Sequence, residues 1–315
     1  MAPDAARLTA FSRDGLTFDL DDDGPPGGEA VVLLHGFPTD RTAWRRMAPL
    51  LHSAGLRTLA PDQRGYSAGA RPPGRAAYRL EELLDDVLAL LDAAGVERAH
   101  VVGHDWGGVV GWLLAANHPG RVASVTALST PHPAALSRAW RSDRGQRLAS
   151  SYIAAFQVPW LPERVLGAVF NSVAVSSGMP PEDARRYAAH LAHGGRLAGP
   201  MDWYRASRSS HVPAHRVSVP ATLVWGSRDT FLRRTAAELT REHVRGPYSF
   251  VELADNHGLP ERRPEECAAA VIARLRSVAA GAGPAGAGPA GVGPAGDEDD
   301  AGTGKNPPPG QVAAP

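Results

Sequence analysis

The chain has 315 residues, with 33 basic and 33 acidic side chains and a formal net charge of zero. That balance argues against nucleic acid or an anionic membrane as the main partner, and no apolar run is long enough to span a bilayer. The length suits one large α/β domain with an inserted subdomain and a sizeable core. The N-terminal stretch carries Asp4, Arg7, Arg13 and Asp14 with no apolar core between them, so it does not read as a signal peptide. The single cysteine, Cys267, rules out an internal disulfide and reads as a small packing residue. A soluble cytoplasmic protein is expected, monomeric or homodimeric.

Taken in chain order, a strand around residues 17–20 is expected at an antiparallel edge. Short apolar runs at 31–34, 57–60, 99–102, 122–128, 221–225 and 248–253 read as strands. Most are continuous rather than alternating, as in strands buried on both faces of a parallel sheet. Between them, Leu80, Leu83, Leu84, Val87, Leu88 and Leu91 fall on one helix face. Glu81, Glu82 and Asp85 favour its N-terminal dipole, and Gly95 ends it. This alternation predicts an α/β fold with a mostly parallel, doubly wound sheet. It breaks between about 131 and 219, where proline-punctuated helices are expected instead. Arg138, Arg141, Arg144 and Arg147 there read as a solvated helix face. The predicted division is a core of residues 1–131 and 219–279, a helical cap of 132–218, and a disordered Gly/Ala/Pro-rich acidic tail of 280–315.

The run Val101-Val102-Gly103-His104-Asp105-Trp106-Gly107-Gly108 carries the strongest chemical signal. Small residues two before and two after Asp105 permit a tight strand-to-helix turn, with a helix expected over 106–118. Such a turn usually raises a serine above a parallel sheet. A carboxylate there suits displacement at a saturated carbon and leaves an ester that water can hydrolyse. The elbow therefore predicts alkyl transfer followed by hydrolysis rather than esterase chemistry.

Asp229 follows the strand at 221–225, and His257 follows the one at 248–253. An aspartate after a strand is most often a turn or helix cap. Nucleophile, acid and histidine in this order, each at a strand end, instead form a catalytic set. His35-Gly36-Phe37-Pro38 follows the first buried strand. It reads either as a simple turn or as half of an oxyanion hole made by the Phe37 and Trp106 amides. A cis Phe37-Pro38 bond would aim the first amide inward.

On these motifs, with Asp62-Gln63-Arg64-Gly65-Tyr66-Ser67 and Glu261-Arg262-Arg263-Pro264-Glu265, the chain resembles the epoxide hydrolases of the α/β-hydrolase superfamily. It is more loosely similar to the haloalkane dehalogenases. The resemblance spans about residues 16–278. It implies an α/β-hydrolase fold with a helical cap, no metal or organic cofactor, and a small apolar epoxide and water as the partners. It also implies two cap tyrosines that hold the epoxide oxygen. Tyr152, in Ser151-Tyr152-Ile153-Ala154-Ala155-Phe156-Gln157, and Tyr204, in Asp202-Trp203-Tyr204-Arg205, match those positions. The other reading makes both tyrosines amphipathic packing residues.

A dehalogenase needs two N–H donors for its halide. Trp106 supplies one, Phe37 has no side-chain donor, and Trp140, Trp160 and Trp203 stay open as the second. Trp106 also stands where fluoroacetate dehalogenases place an arginine. Asn256 and Gly258 flank the histidine where the family usually has glycine and an aromatic; a left-handed Asn256 would preserve the turn, and Gly258 would widen the pocket. Gln63 and residues 67–69 differ from the commonest relatives in a loop expected to lie far from the chemistry. His104 is expected to support the elbow without a direct role. The function implied is epoxide opening to a vicinal diol through an ester on Asp105. A haloalkane dehalogenase on the same Asp105, Asp229 and His257, and a non-catalytic binding protein, are the alternatives.

Overall fold

The computed structural model describes residues 7–176, 178–191 and 197–281. β1 (Ala10–Arg13) and β2 (Leu16–Asp23) form a hairpin whose turn residues, Asp14 and Gly15, both have positive φ. β3 (Glu29–Leu34), α1 (Ala48–Ser53), β4 (Leu56–Pro61), α2 (Leu80–Ala93), β5 (Ala99–His104), α3 (Trp106–Asn117) and β6 (Val122–Leu128) follow. After the helical stretch come β7 (Ala221–Gly226), β8 (Tyr248–Leu253) and the C-terminal helices. The sheet order is β1-β2-β4-β3-β5-β6-β7-β8. β2 pairs antiparallel with β4, and every pairing from β4 across to β8 is parallel. The carboxyl ends of β3 to β8 therefore share one edge, where ligands bind in such sheets.

β5, β6 and β7 are buried at every position, which explains their unbroken apolar runs. β8 is different. It closes the sheet, only partly buried, with Phe250 38% exposed. Its apolar run reflects an edge rather than a core strand. One face of the sheet is covered by α2 and α3, with Leu83, Leu84, Val87 and Leu90 buried against the sheet. On the other face Trp44, Met47, Leu51 and Cys267 pack together. Leu90, outside the leucine stripe read from the sequence, is fully buried, and Leu88 only partly so.

Between β6 and β7 the described residues are helical: α4 (Pro133–Ser142), α5 (Arg144–Ala149), α6 (Tyr152–Phe156), α7 (Leu161–Ser176), α8 (Pro181–Leu191) and α9 (Ala198–Ala206). Charged contacts fasten them to the sheet layer. Asp183, fully buried, meets Arg45, Arg46 and Arg186. Tyr187 donates to Glu261 at 3.0 Å, and the Trp203 indole donates to the Arg64 carbonyl at 2.9 Å. Arg138 pairs with Glu242, and Arg141 is exposed, as a solvated face requires.

After β7 come α10 (Arg234–Leu239) and, beyond β8, α11 (Leu259–Arg262) and α12 (Pro264–Gly281). The expected tail beyond 281 lies outside the described residues. Among the described residues no helix is long and apolar enough to cross a membrane.

Candidate active site

The elbow owes its shape to missing side chains. A Cβ on Gly103 would sit 2.1 Å from the Gly107 carbonyl oxygen, and one on Gly107 would sit 2.0 Å from that of Leu34. β5, the start of α3 and the end of β3 can therefore touch by their backbones. Asp105 takes up the turn with φ 51°, in the left-handed region that most residues avoid. Its carboxylate stands at the amino end of α3, where the helix dipole favours negative charge.

The neighbouring strand ends supply the partners. The Phe37 N–H donates to Asp105 Oδ1 at 2.7 Å. The Phe37-Pro38 bond is cis. Trp106 is the first residue of α3, so its N–H has no acceptor within the helix. His257 Nδ1 donates to Asp229 Oδ2 at 2.7 Å, and His257 Nε2 lies 3.4 Å from Asp105 Oδ2. Asp229 is fixed in turn, because its Oδ1 accepts from the Phe231 and Leu232 amides at 2.8 and 3.0 Å. The bond on Nδ1 sets the tautomer and leaves Nε2 to face the cavity.

Two helices of the inserted segment bring in the tyrosines. Arg205 ties α9 to the end of α6 through the carbonyls of Phe156 and Val158, both at 2.8 Å. Gln157 adds a bond to the Tyr204 carbonyl at 3.3 Å. Tyr152 and Tyr204 then meet edge to face, their ring centroids 6.1 Å apart. With Asp105 and His257 they line a cavity of about 270 Å³ whose remaining wall is almost wholly apolar, including Phe37, Phe156, Phe170 and Met179. A second space of about 70 Å³, on the Trp106 and Leu136 side, shares Asp105 and both tyrosines.

The electrostatics follow from these neighbours. Burial works to raise the Asp105 carboxyl, but His257 and the Phe37 amide hold it below the usual carboxylate value. Burial alone would discharge His257, yet Asp229 and Asp105 raise it to about 10. The resting site is thus an imidazolium between two carboxylates. Burial and the Asp105 charge raise both tyrosines above their ordinary value, so they stay neutral donors. His104, buried, is lowered to about 4 and stays neutral.

The His257 shift carries a sign for stability. A histidine near 6.5 in the unfolded chain and near 10 in the fold stabilises fully below about pH 6.5. That contribution is lost as the pH rises through 10. Urea unfolding of the wild type and His257→Gln should show a stability gap at pH 6 that narrows by pH 10. A gap independent of pH would refute the shift.

The expected site residues Asp105, Asp229, His257, Tyr152, Tyr204, Phe37 and Trp106 all gather here. Others depart from expectation. Gln63 is not remote: its side chain donates to the His35 carbonyl at 2.6 Å and braces the turn that carries Phe37. Asn256 is not among the residues with positive φ, so the turn before His257 does not use a left-handed asparagine. Gly258 lines the cavity, and a Cβ there would meet only Glu261 Oε2 at 3.6 Å. Phe231, which the sequence did not single out, packs edge-on against both Tyr152 and His257. Its only signal was its place two residues after Asp229. Of the candidate second halide donors, Trp203 is committed to Arg64, and Trp140 and Trp160 are 43% and 63% exposed. None of the three lines the cavity.

A strand-end carboxylate, an amide opposite it, and a histidine–aspartate pair at the same sheet edge define a hydrolase of the α/β type. The α/β-hydrolase fold family matches residues 29–257. An α/β-hydrolase superfamily protein of Bacillus subtilis, YfhM, is 34% identical over 273 residues, 83% of this chain and 95% of its own. Epoxide hydrolase A of Mycobacterium tuberculosis is 32% identical over 305 aligned positions, with 82% and 94% covered. The crystal structure of epoxide hydrolase A from Mycobacterium thermoresistibile superposes with a TM-score of 0.72 at 28% identity, covering 86% of this chain and 98% of that one. The chain belongs to the α/β-hydrolase family and is a hydrolase whose relatives there include epoxide hydrolases.

Proposed function

We propose that the protein opens an epoxide to a vicinal diol through a covalent ester on Asp105. The observation that carries this reading is the placement of both tyrosines with Asp105 on one apolar cavity. Asp105 attacks an epoxide carbon, the C–O bond breaks, and Tyr152 or Tyr204 gives its proton to the leaving oxygen. Esterification removes the Asp105 charge that helps to hold the His257 proton. That proton then passes through solvent to the tyrosinate, and neutral His257 becomes a base. It takes a proton from water, whose oxygen attacks the ester carbonyl, and the Phe37 and Trp106 amides hold the oxyanion. On collapse the ester C–O bond breaks, the leaving alkoxide takes a proton from the His257 imidazolium, and the Asp105 carboxyl gives its proton to His257, so the diol leaves with Asp105 and His257 restored. Each step uses the chain's own residues and water.

In this reading residues 132–218 form a cap that roofs the core of 1–131 and 219–279 and keeps bulk water from the ester. The substrate is a small apolar epoxide, the partner is water, the setting is cytoplasmic, and the protein is a monomer or homodimer. The dehalogenase alternative is disfavoured because none of Trp140, Trp160 and Trp203 lines the cavity. Turnover of an epoxide panel that includes styrene oxide, run beside halide release from 1-bromoalkanes, tests the choice. Diol without halide is expected; halide without diol would replace the proposal with dehalogenation.

A further inference from the structure

Two adjacent hydroxyls just past β6 hold the two reacting residues by their backbones. Ser129 Oγ donates to the His257 carbonyl at 2.7 Å. The single proton of Thr130 Oγ1 is shared between the Asp105 carbonyl at 3.0 Å and that of Leu128 at 3.1 Å. Both residues are buried from solvent.

The Ser129 backbone is held in an unfavourable place to do this. Its φ is 56°, in the left-handed region. That conformation costs a side-chain-bearing residue on the order of 1 kcal/mol or more. The other described non-glycine residues with positive φ are Asp14, Asp105 and Trp160. Asp14 sits in an exposed hairpin turn, Trp160 is 63% exposed, and Asp105 is the elbow itself. Ser129 alone among them is fully buried, and the one side-chain bond it makes goes to the carbonyl of the histidine. Strain of this kind persists where the surroundings over-determine it, and it marks functional positions.

His257 needs such a hold. Its loop leaves β8, the edge strand, which has no strand on its outer side among the described residues. The same carbonyl also accepts from His104 Nε2 at 3.0 Å and from the Leu259 N–H at 2.8 Å. His104 ends β5 and Ser129 follows β6, so the loop at the edge is pinned to the centre of the sheet. Asp229 orients the ring, but a ring oriented at Nδ1 can still translate with its backbone.

We propose that Ser129 is a positioning residue: its hydroxyl fixes the His257 carbonyl and so places Nε2 for hydrolysis of the ester on Asp105, without acting on its formation. The proposal rests on the reading of His257 as the base of the second step.

Single-turnover measurements on the full chain test it, with Ser129→Gly and Ser129→Ala. Glycine removes the bond and relieves the strain; alanine removes the bond and keeps the strain. Ester formation at the wild-type rate is expected in both. Ester hydrolysis should slow by about fivefold to tenfold in both, the factor that loss of one hydrogen bond between neutral groups implies. Both variants should remain folded under the assay conditions by urea unfolding beside the wild type, with Ser129→Gly at least as resistant as Ser129→Ala. Hydrolysis at the wild-type rate in both variants, or an equal slowing of both steps, overturns the proposal. An ester that never forms in the wild type overturns the reading of Asp105 and His257 and this proposal with it.

Discussion

With His257 replaced by glutamine, the enzyme is expected to take up one equivalent of epoxide and stop. Glutamine retains an amide that can reach Asp229 but cannot accept a proton from water at neutral pH. Asp105 is still free to attack, and its ester then has no base to release it. Steady-state turnover should fall by roughly a thousandfold, within the range that a positioned base supplies. Intact mass should rise by the mass of the substrate, on a peptide containing Asp105. Diol formation that persists with no mass increase would refute the covalent scheme.

The second large effect is expected on the first step. Either Tyr152→Phe or Tyr204→Phe should slow ester formation by about ten- to hundredfold, and the pair together by about a thousandfold or more. The size follows from hydrogen bonds to a developing oxyanion, worth about 1.5–3 kcal/mol each. Each single variant should lose less free energy than the pair, because the remaining hydroxyl can still donate. Since both phenols are held above their ordinary value, the ring-opening rate should not fall between pH 7 and 9 through loss of the tyrosine protons. Rapid-quench measurement of the ester in the His257→Gln background isolates this step. A double variant that alkylates at the parent rate would reduce the tyrosines to packing residues.

The frame of this site was legible because it is written in local pattern. Unbroken apolar runs marked β5, β6 and β7, and the glycines around Asp105 marked a turn whose need for small residues the backbone contacts explain. Asp229 and His257 were legible from their positions after strands. Tyr152 and Tyr204 were not legible in that way. Their helices are short, and only the resemblance of their flanks to the epoxide hydrolases singled them out. Ser129 and Phe231 escaped notice, and Gln63 was placed far from the chemistry, because their partners are distant in sequence: Ser129 bonds across 128 positions. A serine after a strand looks like any turn residue until the fold brings a carbonyl to it. β8 misled for a related reason, since its apolar side chains do not reveal that it ends the sheet among the described residues.

That edge position separates the two halves of the reaction in thermal resistance. Asp105 rises from the middle of the sheet, where strands lie on both sides, whereas the histidine hangs from its margin. Local opening begins where fewest contacts must be given up. On mild warming, the margin would fray while the central strands held. The protein in that condition would no longer be a catalyst. It would be a stoichiometric trap, capturing one epoxide per chain and keeping it until the margin closed again.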